Sequence, residues 1–211
     1  MEARWRGYRH IAGLDEAGRG PLAGPVVAAA VVLPRRCNLP GLNDSKQVRE
    51  SDRVRLFAEI VRRAVGVGIG SATAAEIDRL NILQATRLAM RRALEALPLQ
   101  PDFLLLDAVT LSGLLVPQRS IIKGDGLSCS IAAASIVAKV TRDRLMVEYH
   151  RWYPYYNFAE HKGYGTPDHL RLLRQHGPCA IHRRSFAPVL HLLAGDAATC
   201  YSSVDQVRGP A

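Results

Sequence analysis

Four acidic residues stand where apolar runs end. Asp15 and Glu16 follow residues 10–14 (HIAGL), Asp107 follows residues 103–106, and Asp125 follows residues 120–122 and a Lys-Gly pair. A carboxylate beside a buried strand is disfavoured unless it is paired or bound to metal. Several carboxylates converging on one place repel one another and raise at least one pKa. Divalent cations relieve that repulsion, and hard oxygen ligands favour Mg²⁺ or Mn²⁺. Two such ions about 3.5–4 Å apart can stabilise both the attacking and the leaving oxygen of a phosphodiester displacement. Adjacent strand residues point to opposite faces, so Asp15 and Glu16 reach one site only if the chain bends after Asp15. Gly18 and Gly20 permit such a bend. Taken singly, any of these acids reads as an ordinary turn residue; the set is what suggests chemistry.

The elements that must carry the acids read as an α/β domain. Residues 25–33 (PVVAAAVVL) are β-branched and almost continuously apolar, as in a strand buried on both faces. Residues 65–71 (VGVGIGS) alternate apolar residues with glycine, a strand that another element can approach closely. Further buried strands are expected at 103–106 and 120–122. A helix fits 51–64, with Ser51 as N-cap and Val54, Phe57, Ala58 and Val61 on its buried face. Thr73 and Glu76 form a capping box opening a helical stretch that Pro98 ends, with Asn81 re-capping it midway. A long helix follows over 130–150, with Ile131, Ala134, Ala138, Thr141 and Leu145 as its core face. Thr166 and Pro167 start another helix that Gly177 stops, and 185–193 reads as one more. In an open α/β sheet the strand ends line one edge where ligands bind. The expected organisation is a sheet domain over 8–150, a helical extension over 151–194 and a polar tail over 195–211.

Composition sets the remaining bounds. The 211 residues carry a formal charge of +9, an excess that a fold does not need and a polyanionic partner would exploit. Cys37, Cys129, Cys179 and Cys200 form no C-x-x-C pair, and the N-terminus lacks the apolar region of an export signal. These features lead us to expect reduced thiols, no zinc site, no membrane span and a cytoplasmic location.

The segments GLDEAGRGPLAGPVVAAAVVLP, LNDSKQV, DRLNILQAT, IIKGDGLSCSIAAASIVAKVTRDRLM, HKGYGTPDHL and HGPCAIHRRSFAPV resemble, in order, those of ribonuclease HII. The resemblance covers residues 11–190. It implies a ribonuclease-H-like mixed five-stranded sheet flanked by helices, with a C-terminal helical extension. It implies that Asp15, Glu16, Asp107 and Asp125 bind two Mg²⁺ or Mn²⁺ ions and act catalytically. The implied substrates are RNA–DNA hybrid and duplex DNA containing ribonucleotides, cut to leave a 3′-hydroxyl and a 5′-phosphate. Gly18, Arg19 and Gly20, with Tyr164, are implied to sense the ribonucleotide through its 2′-hydroxyl, which separates RNA from DNA. Asn81 matches a position near the nucleic acid.

Ser45, Lys46, Lys123, Ser135, Lys139 and Arg142 are candidate phosphate contacts; the last three share one helix face by their spacing. Arg183 and Arg184 are weaker candidates, and His161 reads as peripheral. A monomer with no obligate protein partner is expected, and no peptide for a sliding clamp is evident. Ribonuclease HIII is expected to carry an N-terminal domain for which Asp15 leaves no room. A resolvase or transposase on a similar sheet is not expected to carry KGD followed by SIAAASIVAKVTRD. A non-catalytic basic nucleic-acid-binding module explains the charge but not four acids facing a polyanion.

Overall fold

The computed structural model describes residues 7–195. Five strands form one mixed sheet: β1 (Ile11–Ala17), β2 (Val26–Val32), β3 (Gly66–Ala72), β4 (Phe103–Asp107) and β5 (Gln118–Ile121), in the order β3-β2-β1-β4-β5. The first three pair antiparallel, whereas β4 lies parallel to both β1 and β5. This is the mixed five-stranded sheet expected.

β2 is buried along all seven residues because helices cover both faces of the sheet. Its even positions, Val26, Ala28, Ala30 and Val32, pack with α2 (Ala74–Leu80) and α3 (Ile82–Glu95) through Ile77, Ala85, Ala89 and Met90. Its odd positions Ala29 and Val31 pack with α1 (Glu50–Arg63) and the long helix α4 (Cys129–Trp152). The glycines of β3 serve close approach: a Cβ on Gly68 would stand 2.0 Å from the Ala93 carbonyl oxygen. The capping box is formed, with Thr73 accepting from the Glu76 amide, and the Asn81 side chain accepts from the Gln84 amide to start α3.

Three expectations are corrected. Ser51 lies inside α1, whose N-cap is Arg49, and the helix buries Leu56 and Ile60 while Val54 and Val61 stay nearly half exposed. Burial follows the i, i+4 pair that meets α4, not the longer apolar stripe. β5 is the edge strand, with Ser120 exposed and Ile122 beyond its end, so it is not a buried strand. On α4, residues 130–138 are buried on all sides, and Thr141 and Leu145 are only half-buried.

The C-terminal part comprises α5 (Phe158–His161), α6 (Pro167–His176) and α7 (Ala187–Leu193). Thr166 caps α6 and Gly177 ends it, as expected. The extension docks on the loop after β1: Leu22 N–H donates to Gly163 O at 2.8 Å, Gly24 N–H to Ile181 O at 2.9 Å, and Ala23 bridges His182. Of the tail expected over 195–211, residues 196–211, Cys200 included, lie outside the described residues. No described helix is long and apolar enough to cross a membrane.

Candidate active site

Strand parity and helix packing together bring the acids to one place. Leu14 of β1 pairs with Leu106 of β4, so the next residues on these parallel neighbours are Asp15 and Asp107. Leu14 and Leu106 point into the α3 layer, and the acids following them turn toward α4. That helix presses on β1 at Gly13, where a Cβ would lie 2.1 Å from the Ser130 carbonyl carbon. Beyond β5, Lys123 takes a left-handed conformation (φ 55°) and turns the chain into a 3-10 turn over Gly124–Gly126. The Gly124 amide donates to Asp107 Oδ1 at 2.9 Å, fixing that carboxylate.

The result is a cluster in which one oxygen from each of Asp15, Asp107 and Asp125 lies within 4.8 Å of the others. Two ionised carboxylates at such a separation repel by about 3–4 kcal/mol at the effective dielectric of ~20 typical of protein sites. Three such pairs amount to roughly the whole stability of a domain. The fold therefore favours either a proton or a cation there. Burial, then the charges of Glu16 and Asp107, raise Asp15 well above the ordinary carboxylate range, against hydrogen bonds from Ser135 and the Glu16 amide. Burial and the charges of Asp44 and Asp107 raise Asp125.

Glu16 lies beside this cluster without being one of its three members. β1 continues through it in register, opposite Ala28, so the bend expected after Asp15 does not occur, yet Glu16 at the strand end is still near enough for the Asp107 charge to raise its pKa. Its Oε1 accepts from Arg19 at 3.4 Å, while Oε2 is buried without a hydrogen-bond partner. Burial raises its pKa, Arg19 lowers it, and the charges of Asp107 and Lys46 reach it. An orphaned buried carboxylate oxygen beside three clustered acids is the donor set that a hard divalent cation completes.

The expected substrate contacts divide. Lys46 and Lys123 are exposed, Arg19 is half exposed, and Lys139 is held by Asp143 at 2.8 Å. Tyr164 is 41% exposed, with Lys139 Nζ and Arg142 Cζ each 5.8 Å from its ring centroid. Ser45 and Ser135 are buried against each other (2.9 Å between hydroxyl oxygens), so they support the site from behind and do not face a phosphate. Arg142 is corrected outright. It is fully buried, and its guanidinium donates to the carbonyls of Pro25, Lys162 and Ala23. Arg183 is buried in the same way, on the carbonyls of Gly24, Arg19 and Gly18. Asn81 is used as the α3 cap, in a left-handed conformation (φ 67°).

Sequence reasoning missed two things. Asp44 lies close enough to Asp125 for its charge to raise that carboxyl group; its signal was its place one residue before Ser45 in the LNDSK segment. The other is a buried group of rings, in which His161, peripheral to the chemistry, packs with His169 and His182.

A family model for ribonuclease HII matches residues 12–189. The ribonuclease HII of Desulfitobacterium hafniense (strain DSM 10664 / DCB-2) is 64% identical over 183 residues, covering 87% of this chain and 70% of that relative. That of Geotalea uraniireducens (strain Rf4) is 55% identical over 186 residues, covering 88% and 86%. Among solved structures, ribonuclease H2 from Pyrococcus horikoshii OT3 superposes with a TM-score of 0.73 at 25% identity, covering 88% of this chain and 98% of that one. Bst-RNase HIII in complex with Mn²⁺ shares the fold, with a TM-score of 0.66 at 19% identity over 90% of this chain and 70% of that one. With a family model over most of the chain and relatives more than half identical to it, the chain belongs to the ribonuclease HII family and is a type II ribonuclease H, an enzyme acting on RNA–DNA hybrids.

Proposed function

We propose that Asp15, Asp107 and Asp125, with Glu16 beside them, hold two divalent cations, Mg²⁺ or Mn²⁺. On this reading the enzyme cuts the RNA strand of hybrids and cuts 5′ of ribonucleotides embedded in duplex DNA, leaving a 3′-hydroxyl and a 5′-phosphate. The observation that carries the reading is the trio of carboxylate oxygens within 4.8 Å, next to the unpartnered buried oxygen of Glu16. When bound, the cations lower the pKa of water and stabilise charge on the departing oxygen.

The chain's own residues do the rest. Hydrogen bonds from the Gly124 amide to Asp107 and from the Glu16 amide to Asp15, the latter at 2.7 Å, fix the direction of both carboxylates. This preorganisation lowers the cost of ordering them on binding. Gly18, Arg19 and Gly20 bring backbone close to the ribose 2′-hydroxyl, and the half-exposed Tyr164 ring lies under the sugar. Lys46, Lys123, Lys139 and Arg19 supply positive charge along the phosphates, giving affinity that falls as salt rises. We infer a monomer working in the cytoplasm.

Labelled duplexes test this: a continuous hybrid and a DNA duplex with one ribonucleotide, incubated with Mg²⁺, Mn²⁺ or EDTA. The reading expects cleavage of both with metal, none in EDTA, and a 5′-phosphate on the downstream product. Binding without metal-dependent cleavage would favour a non-catalytic nucleic-acid-binding module instead.

A further inference from the structure

Behind Tyr164 lies a set of buried side chains that the proposed chemistry does not use. His161, His169 and His182 surround the ring of Phe158, whose edge or face meets all three at 5.5–5.9 Å between centroids. His161 stacks on His169 at 4.3 Å. Each ring nitrogen has a partner whose chemistry fixes the proton.

The Tyr164 carbonyl, 2.8 Å from His169 Nδ1, can only accept, so Nδ1 carries the proton and Nε2 is left as a lone pair. From the other end, the Cys179 amide N–H donates to His182 Nδ1 at 3.0 Å, so His182 carries its proton on Nε2. These two assignments are independent, and they meet correctly: His182 Nε2–H faces the His169 Nε2 lone pair at 3.1 Å. On the third ring, the Gly163 N–H donates to His161 Nδ1 at 3.1 Å, which leaves Nε2–H to donate to the Tyr156 carbonyl at 2.6 Å.

We propose that the directed chain from the Cys179 amide through His182 and His169 to the Tyr164 carbonyl is a positioning device, which sets where the tyrosine ring stands relative to the loop after β1. It rests on the reading of Tyr164 given above. The same loop is tied at both ends of the relay, since Ala23 bridges His182 and Leu22 N–H donates to Gly163 O. A Cβ on Gly163 would stand 2.5 Å from the Ala23 carbonyl oxygen, so the two segments are in close contact. The Tyr164 N–H donates to His161 O and the Thr166 N–H donates to the Tyr164 carbonyl, so His169 is the second donor on that oxygen.

The chain has no room for an added proton. A charged His169 would set N–H against the His182 N–H, a charged His182 would meet the Cys179 amide, and a charged His161 the Gly163 amide. The groups facing the rings are Asp168, which favours charge on His161 and His169, and Lys162, which opposes it on His161. The Cys179 thiol lies 3.1 Å from His182 Nδ1, and the Tyr156 ring stands edge-on to His182. Burial outweighs Asp168 and lowers His169 to about 4 and His182 to about 3. The hydrogen-bond directions and burial together therefore favour the neutral form of the relay at neutral pH.

The test uses the full-length protein and two readouts. Histidine ¹⁵N spectra from pH 8 to 5.5 should show protons on His169 Nδ1 and on His161 and His182 Nε2, without titration. The reverse tautomers, or a ring titrating between pH 6 and 7, overturn the relay. His169→Asn keeps an amide N–H where Nδ1 stands, whereas His169→Gln places its amide where Nε2 stands. We expect the Asn variant to retain kcat/KM on the single-ribonucleotide duplex within about threefold and the Gln variant to lose about tenfold. In a Tyr164→Ala background the Gln change should cost nothing further. Equal impairment of Asn and Gln overturns the positioning role. If Tyr164→Ala alone leaves cleavage unchanged, the tyrosine's role fails, and the tautomer pattern still decides whether the relay exists.

Discussion

Arg183 donates from Nη2 to the carbonyl of Gly18 at 2.5 Å, across 165 positions of chain. Its other donors reach Arg19 O at 2.8 Å and Gly24 O at 3.0 Å. The glycine loop that faces the substrate in our reading is thus held from beneath by the C-terminal extension. Burial and the neighbouring Arg142 charge press the Arg183 pKa down to about 9, which still leaves it charged at neutral pH.

Replacing Arg183 with Met leaves three loop carbonyls without this donor. At about 1 kcal/mol each, the expected loss is about 3 kcal/mol, read from urea unfolding. A loss below about 0.5 kcal/mol, within the range of ordinary surface changes, would show that the clamp contributes nothing.

Gly18 and Gly20 should separate fold from function. Gly18 has φ +93°, and a Cβ there would stand 2.0 Å from Arg142 Nε. Gly18→Ala should therefore cost about 2 kcal/mol or more. A Cβ on Gly20 meets nothing within 4 Å, so Gly20→Ala should unfold like the parent while cutting more slowly. Slow cleavage with unchanged Tm identifies a substrate contact; parental cleavage by Gly20→Ala removes Gly20 from the substrate surface.

The raised carboxyl groups give a pH signature. Asp15, Glu16 and Asp125 bind protons more tightly folded than unfolded. Their contribution to stability is full below the ordinary carboxylate pKa and is lost as pH rises through the raised values. Metal-free protein should therefore weaken toward alkaline pH, and Mn²⁺ should raise Tm more at pH 8 than at pH 5, where it must displace protons. Asp15→Asn should raise the metal-free Tm at pH 8 and abolish cleavage. An equal Mn²⁺ effect at both pH values would contradict this account.

Tyr164→Ala should reduce cleavage at a single embedded ribonucleotide more than cleavage along a continuous hybrid. Parallel rate measurements on the two duplexes decide this, and equal losses would end the junction-sensing role.

How far the sequence foretold these features depends on whether the signal was local. β2, Thr73 with Glu76, and the β3 glycines were readable because propensity, capping and close packing act within a few residues. Asp15 and Asp107 were readable because each ends an apolar run. The buried face of α1 was not, since Val54 and Leu56 are equally apolar and only the position of α4 chooses between them. Arg142 and Arg183 look like surface residues in sequence; they are interior because loop carbonyls there need donors. The histidine relay joins residues 13 apart through a turn no local pattern specifies.

The central claim is that these carboxylates gather two hard cations. Anomalous scattering from crystals of the enzyme with Mn²⁺ and an uncleaved hybrid tests it most directly. We expect two peaks about 3.5–4 Å apart, ligated by Asp15, Asp107 and Asp125, with Glu16 on one of them. Manganese bound elsewhere, or no ordered manganese among these three residues, would contradict the account.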